Sequence, residues 1–189
     1  LYYASEIFRN MGANTEVSLL QTLFMGVVNL AFTVVAIYTV DKFGRKPLLI
    51  IGAIGMSVSM FALGFFFFFN SLGVGALFAM GIYVAAFAIS WGPITWVMLS
   101  EIFPNSIRGA MSIAVAAQWV ANLMVSWTFP MLNDNVVLTD LFNHGFAYWV
   151  YGVMGILAAL FVWRIVPETK GRTLEDMGEL WGGRRKPKA

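Results

Sequence analysis

Val40-Asp41-Lys42-Phe43-Gly44-Arg45-Lys46-Pro47 sets one acid, three bases and a glycine between two runs that hold almost nothing charged. Those runs, residues 17–40 and 48–69, are each long enough to cross a bilayer, which takes roughly 20 mostly apolar residues. The stretch therefore reads as a turn at a membrane surface. Gly44 permits a tight reversal, and Pro47 suits the first turn of the helix that follows, where a backbone N–H is dispensable. Asp41 precedes Arg45 by four residues, so carboxylate and guanidinium can pair directly or reach a neighbouring helix. Lys42 and Lys46 read as surface anchors.

Working outward, three further runs follow at 72–99, 110–132 and 146–166. Of the 189 residues, 59% are hydrophobic and 12% charged. That is too little polar surface to cover a soluble domain. Stretches such as ALGFFFFF are apolar on every side, whereas barrel strands alternate. The expectation is an all-α membrane bundle with five full spans. Residues 1–11 would cover only about half a bilayer at ~1.5 Å per residue, so the chain is expected to be a fragment that starts inside a helix. They lack the basic start and cleavage site of a signal peptide. There is no cysteine, hence no disulfide framework or thiolate metal site.

Charge placement gives orientation. If each run crosses once, eleven of the twelve Lys and Arg fall on one side and only Arg9 on the other. The positive-inside rule assigns the basic side, with the C-terminus, to the cytoplasm. Glu6, Glu16, Asp134 and Asp140 belong to the outer face. Two more corners resemble the first on the basic side: SEIFPNSIRG at 100–109, with Glu101 and Arg108, and VPETKGRTLE at 166–175, with Glu168. Their acids and bases could pair across helices, contacts made in one global state and broken in another.

Within the spans, Thr22, Asn29 and Thr33 share one helical face, and Gln118, Asn122 and Ser126 share another beside Trp119. An intramembrane amide is costly without a partner. Such stripes serve either as interhelical glue or as the lining of a wet cavity. Gly81, Ala85, Ala88 and Gly92 form a small-residue face suited to close helix packing. Pro93 is expected to break or bend its helix just before Trp96. Indoles suit sugars, which present both C–H faces and hydroxyls. Residues 65–69, all phenylalanine, read as lipid-facing, His144 as a solvated loop residue, and Trp91, Trp127, Trp149 and Trp163 as interfacial anchors.

DKFGRKP, the E-x-x-P-x-x-x-R-G pattern of SEIFPNSIRG, and PETKGRTLE, together with SWGPITWVMLSEIFP and AVAAQWVANLMVSWTFP, resemble the sugar porter family of the major facilitator superfamily over essentially the whole chain. The resemblance implies a twelve-helix transporter, of which this chain is similar to the C-terminal six-helix half with its first helix truncated. Residues 1–166 would be the bundle, 167–181 a cytoplasmic signature with a short amphipathic helix, and 182–189 a disordered basic tail. The resemblance places Tyr2, Asn29, Gly92, Trp96, Gln118 and Trp119 around a central sugar, and in a transporter of that kind the charged corners, with Asp41, Gly44, Arg45, Glu101, Arg108 and Glu168, are expected to form a cytoplasmic latch. The spacing from Arg108 to Gln118 is one residue shorter than the family's.

The function so implied is transport of a monosaccharide, a pentose such as D-xylose or a hexose, across a bacterial inner membrane by alternating access. No Asp, Glu, Lys, Arg or His lies mid-membrane, so a coupling acid for proton symport would belong to the N-terminal half. A passive facilitator and a transporter-like sensor are the alternatives. The expected partners are the sugar, the proton, the bilayer and the N-terminal half, with no nucleic acid, cofactor or metal. An enzyme would need a nucleophile and base or a metal constellation, and no such pattern is present.

Overall fold

The computed structural model describes residues 15–71, 73–103 and 108–171, leaving the side chains of 15–18 and 108 undescribed. The expectations for the first helix, for the helix at 173–181 and for the basic tail lie outside these residues. Among the described residues seven helices follow in order: α1 (Thr15–Phe43), α2 (Arg45–Phe68), α3 (Val74–Ile89), α4 (Trp91–Ile102), α5 (Arg108–Asn133), the short α6 (Val136–Phe142) and α7 (Gly145–Ile165). Five segments of the described residues are long and apolar enough to cross a membrane, with α3 and α4 counting as one. Among the described residues there is no strand, and the all-α expectation is borne out.

The scaffold is the pair α2 and α7, with α3 laid along α2. Glycines set how closely these helices meet. A Cβ on Gly145 would sit 2.5 Å from the Gly64 carbonyl oxygen, and one on Gly64 would overlap the Trp149 ring. Gly55 lies against Ala86, and a Cβ on Gly52 would overlap the Ser90 side chain. Without large side chains between them, the backbones approach and dispersion contacts accumulate, which is what holds helices together in lipid. Two apolar clusters result. Leu63, Phe67, Met80, Val84 and Tyr148 form one with Met25 of α1, and Leu48, Leu49, Ile94, Met98 and Val162 form the other, nearer the VDKFGRKP turn.

The end carrying Asp134 is fastened by polar ties. Asn143 and His144 both adopt left-handed backbone (φ 46° and 64°) to turn α6 into α7. Asn143 Nδ2 donates to the Phe68 carbonyl at 2.9 Å, and His144 Nδ1 lies 2.7 Å from the Asn133 carbonyl. His144 is therefore half-buried and engaged, not the solvated loop residue expected. The phenylalanine run is also divided. Phe65 and Phe69 are exposed, whereas Phe67 is buried and stacks on Tyr148 with centroids 4.8 Å apart. Trp91 is an interhelical tie, its indole N–H donating to the Leu49 carbonyl at 2.9 Å. Trp149 packs against Phe65, Phe68 and Phe142.

The helix break lies at Ser90, one turn earlier than the Pro93 reading expected. Pro93 occupies the first turn of α4, where backbone N–H groups lack intrahelical partners and its missing donor costs little. Ser90 takes φ −129° and ψ −89°, and its hydroxyl donates to the Ala86 carbonyl at 2.5 Å. Of the five spans among the described residues, α1 and α5 are the least covered, with 11% and 0% of their most apolar windows buried.

If close approach at the glycines holds the scaffold, Gly145→Ala should lower the thermal unfolding midpoint in detergent, through overpacking worth about 1–3 kcal/mol. Gly26, where an added methyl would find nothing within 4 Å, supplies the control. Gly26→Ala is expected to leave the midpoint level or raised, and equal losses from both changes would contradict the account.

Candidate functional site

At the opposite end from Asp134 the structure draws together the acids and bases of the corners. All described Lys and Arg residues lie at this end, by α1, α2, α5 and α7. Gly44, at φ +92°, reverses the chain between α1 and α2 and is itself buried. The start of α2 has no cap from its own sequence. Its cap comes from beyond α7: Glu168 accepts from the backbone N–H of Arg45 at 3.0 Å and of Lys46 at 3.1 Å, one to each carboxylate oxygen. A carboxylate on a helix N-terminus meets both unsatisfied donors and the positive end of the dipole. A Cβ on Gly44 would come within 2.8 Å of that carboxylate, so both backbone angle and space call for glycine.

The Arg45 guanidinium, 14% exposed, bridges two acids through Nη2. Glu101 Oε1 of α4 is 2.8 Å away and Asp41 Oδ1 3.2 Å. Asp41 is 79% exposed, and such surface pairs contribute about 0.2–1 kcal/mol. The shorter, half-buried bond to Glu101 is the stronger arm, with charged hydrogen bonds worth about 1.5–3 kcal/mol. The other Glu101 oxygen accepts from the buried Thr169 hydroxyl at 2.5 Å. Lys170 Nζ donates to the Lys42 carbonyl at 2.8 Å. Glu101 and Glu168 thus join α1, α2, α4 and the segment after α7. Arg108 lies at this end, but its side chain is outside the described residues.

Sequence reasoning found the acids and Arg45 but not Thr169, nor that Glu168 would engage backbone amides in place of a basic side chain. The PETK string carried the signal for Thr169: a hydroxyl next to the acid in a fixed turn. Helix N-terminal amides cannot be seen as charges in a sequence.

The second group lies along the spans. Asn29 is on α1, Gly92 and Trp96 on α4, Gln118 and Trp119 on α5. Helix α4 is the shared neighbour, touching both α1 and α5. Trp96 is 45% exposed, Trp119 58%, and Gln118 is also exposed. The Asn29 carbonyl accepts from the Thr33 hydroxyl at 2.7 Å, but its half-buried amide side chain makes no hydrogen bond among the described residues. Gly92 sits where a Cβ would meet Phe87 at 3.3 Å. Tyr2 lies outside the described residues. Helix α5 joins α7 near the Asp134 end, where Thr128 and Tyr151 hydroxyls are 2.6 Å apart and Phe129 lies edge-on to Tyr148. No group of three or more His, Cys, Asp or Glu that could hold a metal occurs among the described residues.

Comparison with known proteins supplies the context. The chain is similar to the D-xylose-proton symporter of Escherichia coli (strain K12), 63% identical over 182 residues, covering 96% of this chain and 37% of that protein. It is 50% identical to the glucose facilitated diffusion protein of Zymomonas mobilis, covering 96% and 38%. It superposes on the structure of a major facilitator superfamily proton:xylose symporter bound to 6-bromo-6-deoxy-D-glucose with a TM-score of 0.86 and 62% identity, covering 95% of this chain and 38% of that one. The chain therefore spans well under half the length of these relatives, and the fold it matches is the C-terminal half of such a transporter. The family described as "Sugar (and other) transporter" matches residues 1–181, and the chain belongs to that family.

Proposed function

We propose that this chain forms the C-terminal half of a secondary transporter that carries a monosaccharide, a pentose such as D-xylose or a hexose, by alternating access in a bacterial inner membrane. The observation that supports the reading is a set of polar and aromatic groups, in the middle of otherwise apolar helices, that have no hydrogen-bond partner among the described residues. The Asn29 amide, the Trp96 and Trp119 indoles and the Gln118 amide make no hydrogen bond among the described residues. An intramembrane amide left so is expensive unless something polar visits it. A sugar is suited to that environment, its hydroxyls matching the amides and its C–H faces the indoles. Gly92, one turn before Trp96 on α4, and Tyr2 are assigned to the same site by the family resemblance.

The basic end is the latch. Asp41, Gly44, Arg45, Glu101, Arg108 and Glu168 keep the cytoplasmic side shut and separate when the transporter opens inward. The C-terminus lies on this cytoplasmic side, following the positive-inside rule. Proton symport requires a titratable group in the pathway, and no described residue at mid-span of these helices is acidic or basic. The proton carrier therefore belongs to the N-terminal half. The same observation favours a second reading, facilitated diffusion, should that half hold no acid. The chain carries no catalytic residue in this account.

With the N-terminal half present, uptake of radiolabelled xylose and glucose in transport-deficient cells tests the site. Trp96→Ala is expected to raise the half-saturating sugar concentration about 10- to 100-fold, as the loss of ring contact and one hydrogen bond implies. Accumulation should collapse with a protonophore if transport is coupled, and persist as simple equilibration if it is not. Unchanged affinity in Trp96→Ala would remove the sugar from this site.

The latch is tested separately. Arg45→Ala and Gly44→Ala should each shift the resting population toward the inward-open state, read as increased labelling of a single cysteine introduced on the cytoplasmic side, while equilibrium sugar affinity changes less than in Trp96→Ala. Equal loss of affinity from Arg45→Ala and Trp96→Ala, without a change in labelling, would refute the division between site and latch.

A further inference from the structure

We propose that the furrow between α2 and α7 holds an acyl chain of an anionic phospholipid, with the headgroup taken by Lys46 and Arg164 at the basic end. The furrow encloses about 320 Å³ and is lined chiefly by Ile50, Ile54 and Phe61 of α2 and by Ile156, Leu160 and Trp163 of α7. Ser57 at its floor has its hydroxyl committed to the Ala53 carbonyl at 2.8 Å. Nothing in the furrow invites a polar solute. It arises because small residues meet at the helix contact, Gly155 against Ser57, while bulkier side chains stand on either side.

Its length and its charges name the occupant. From Ile50 to Phe61 the helix rises roughly 16 Å at ~1.5 Å per residue. That is close to half of a hydrocarbon core about 30 Å thick, or one leaflet. The two lining stripes then continue to bases at the same end. Lys46 stands four residues before Ile50 on α2, and Arg164 four residues after Leu160 on α7, so each extends its stripe by about one turn. The Lys46 amine and the Arg164 guanidinium have no acidic partner among the described residues, and Arg164 is exposed. Trp163 beside them is 61% exposed, at the depth where indoles settle among headgroups. Any bilayer lipid could fill the furrow, and the two bases make it selective for a negative headgroup. This inference concerns a different face from the sugar site and stands whether or not that reading holds.

The test is lipid retention by the full-length protein in detergent, titrated with palmitoyl-oleoyl phosphatidylglycerol or phosphatidylcholine and read by native mass spectrometry. At about five-fold for each base, phosphatidylglycerol should bind roughly 25-fold more tightly. Lys46→Gln with Arg164→Gln should abolish the preference. Ile54→Trp, filling the furrow from a position 50% exposed, should reduce retention of both lipids several-fold, as should Ile156→Trp, at 45%. Circular dichroism confirms that each variant is folded. Excess glycerol phosphate should fail to displace the lipid. Equal binding of the two lipids, a preference that survives loss of both bases, retention unaffected by both tryptophans, or displacement by glycerol phosphate would each overturn the proposal.

Discussion

One carboxylate governs the architecture of the basic end. Glu168, reached after the chain has completed its last span, lies on the two backbone amides that open α2. A helix that starts at a glycine with φ +92° has no side chain of its own to receive those donors. At a partly buried helix start, amides left unsatisfied cost about 1–3 kcal/mol each. The contact thus completes α2 and fixes where the segment after α7 must run. Thr169 follows immediately and places its hydroxyl on Glu101, so the same short segment also orients the acid that receives Arg45. Gly44, Glu168, Thr169, Glu101 and Arg45 act as one unit, because each position is set by the one before.

The rest of the bundle divides according to how much packing each helix has. Helices α2, α3 and α7 meet through glycines, serines and alanines and carry most of the buried residues. Helices α1 and α5 lie at the margin of the described residues, with long rows of exposed apolar side chains. Polar groups of the candidate site occur on α1, α4 and α5, not on the well-packed pair. That is physically sensible, since a helix committed on several faces to close packing has no room to present an amide to a visitor.

Much of this was legible in the sequence because apolar length is the dominant signal in a membrane. Runs at 17–40, 48–69, 72–99, 110–132 and 146–166 fall within a few residues of the five spans. The acids and bases at the corners were legible because they interrupt those runs. What was hidden follows from two causes. In a helix apolar all round, periodicity does not say which face is buried, so Phe67 could not be told from Phe65. Side-chain contacts with backbone groups leave no complementary residue to notice, which is why the roles of Glu168, Trp91 and His144 emerged only from the fold. Pro93 was legible as a disruption, but its tolerance in a first turn moved the break to Ser90. The candidate side chains were recognisable by type, and their placement on α4 and its two neighbours, α1 and α5, depended on tertiary structure.

The placement of α4 connects the two groups. Trp96 and Glu101 lie five residues apart on a helix of 12 residues, about 18 Å long. The break at Ser90 separates this helix from α3, whose packing on α2 is tighter. A short continuous helix acts as a rod, and this one is tied to α2 by the Trp91 indole at one end and by the Glu101–Arg45 pair at the other. Under alternating access, a solute that draws Trp96 toward the N-terminal half must therefore also displace Glu101 relative to Arg45, unless the rod pivots about Glu101 itself. In the proposed transport cycle the Arg45–Glu101 pair opposes both of these movements, with a bond of about 1.5–3 kcal/mol. An interaction of that size is strong enough to bias two conformations and weak enough for differential binding of a ligand to reverse the bias.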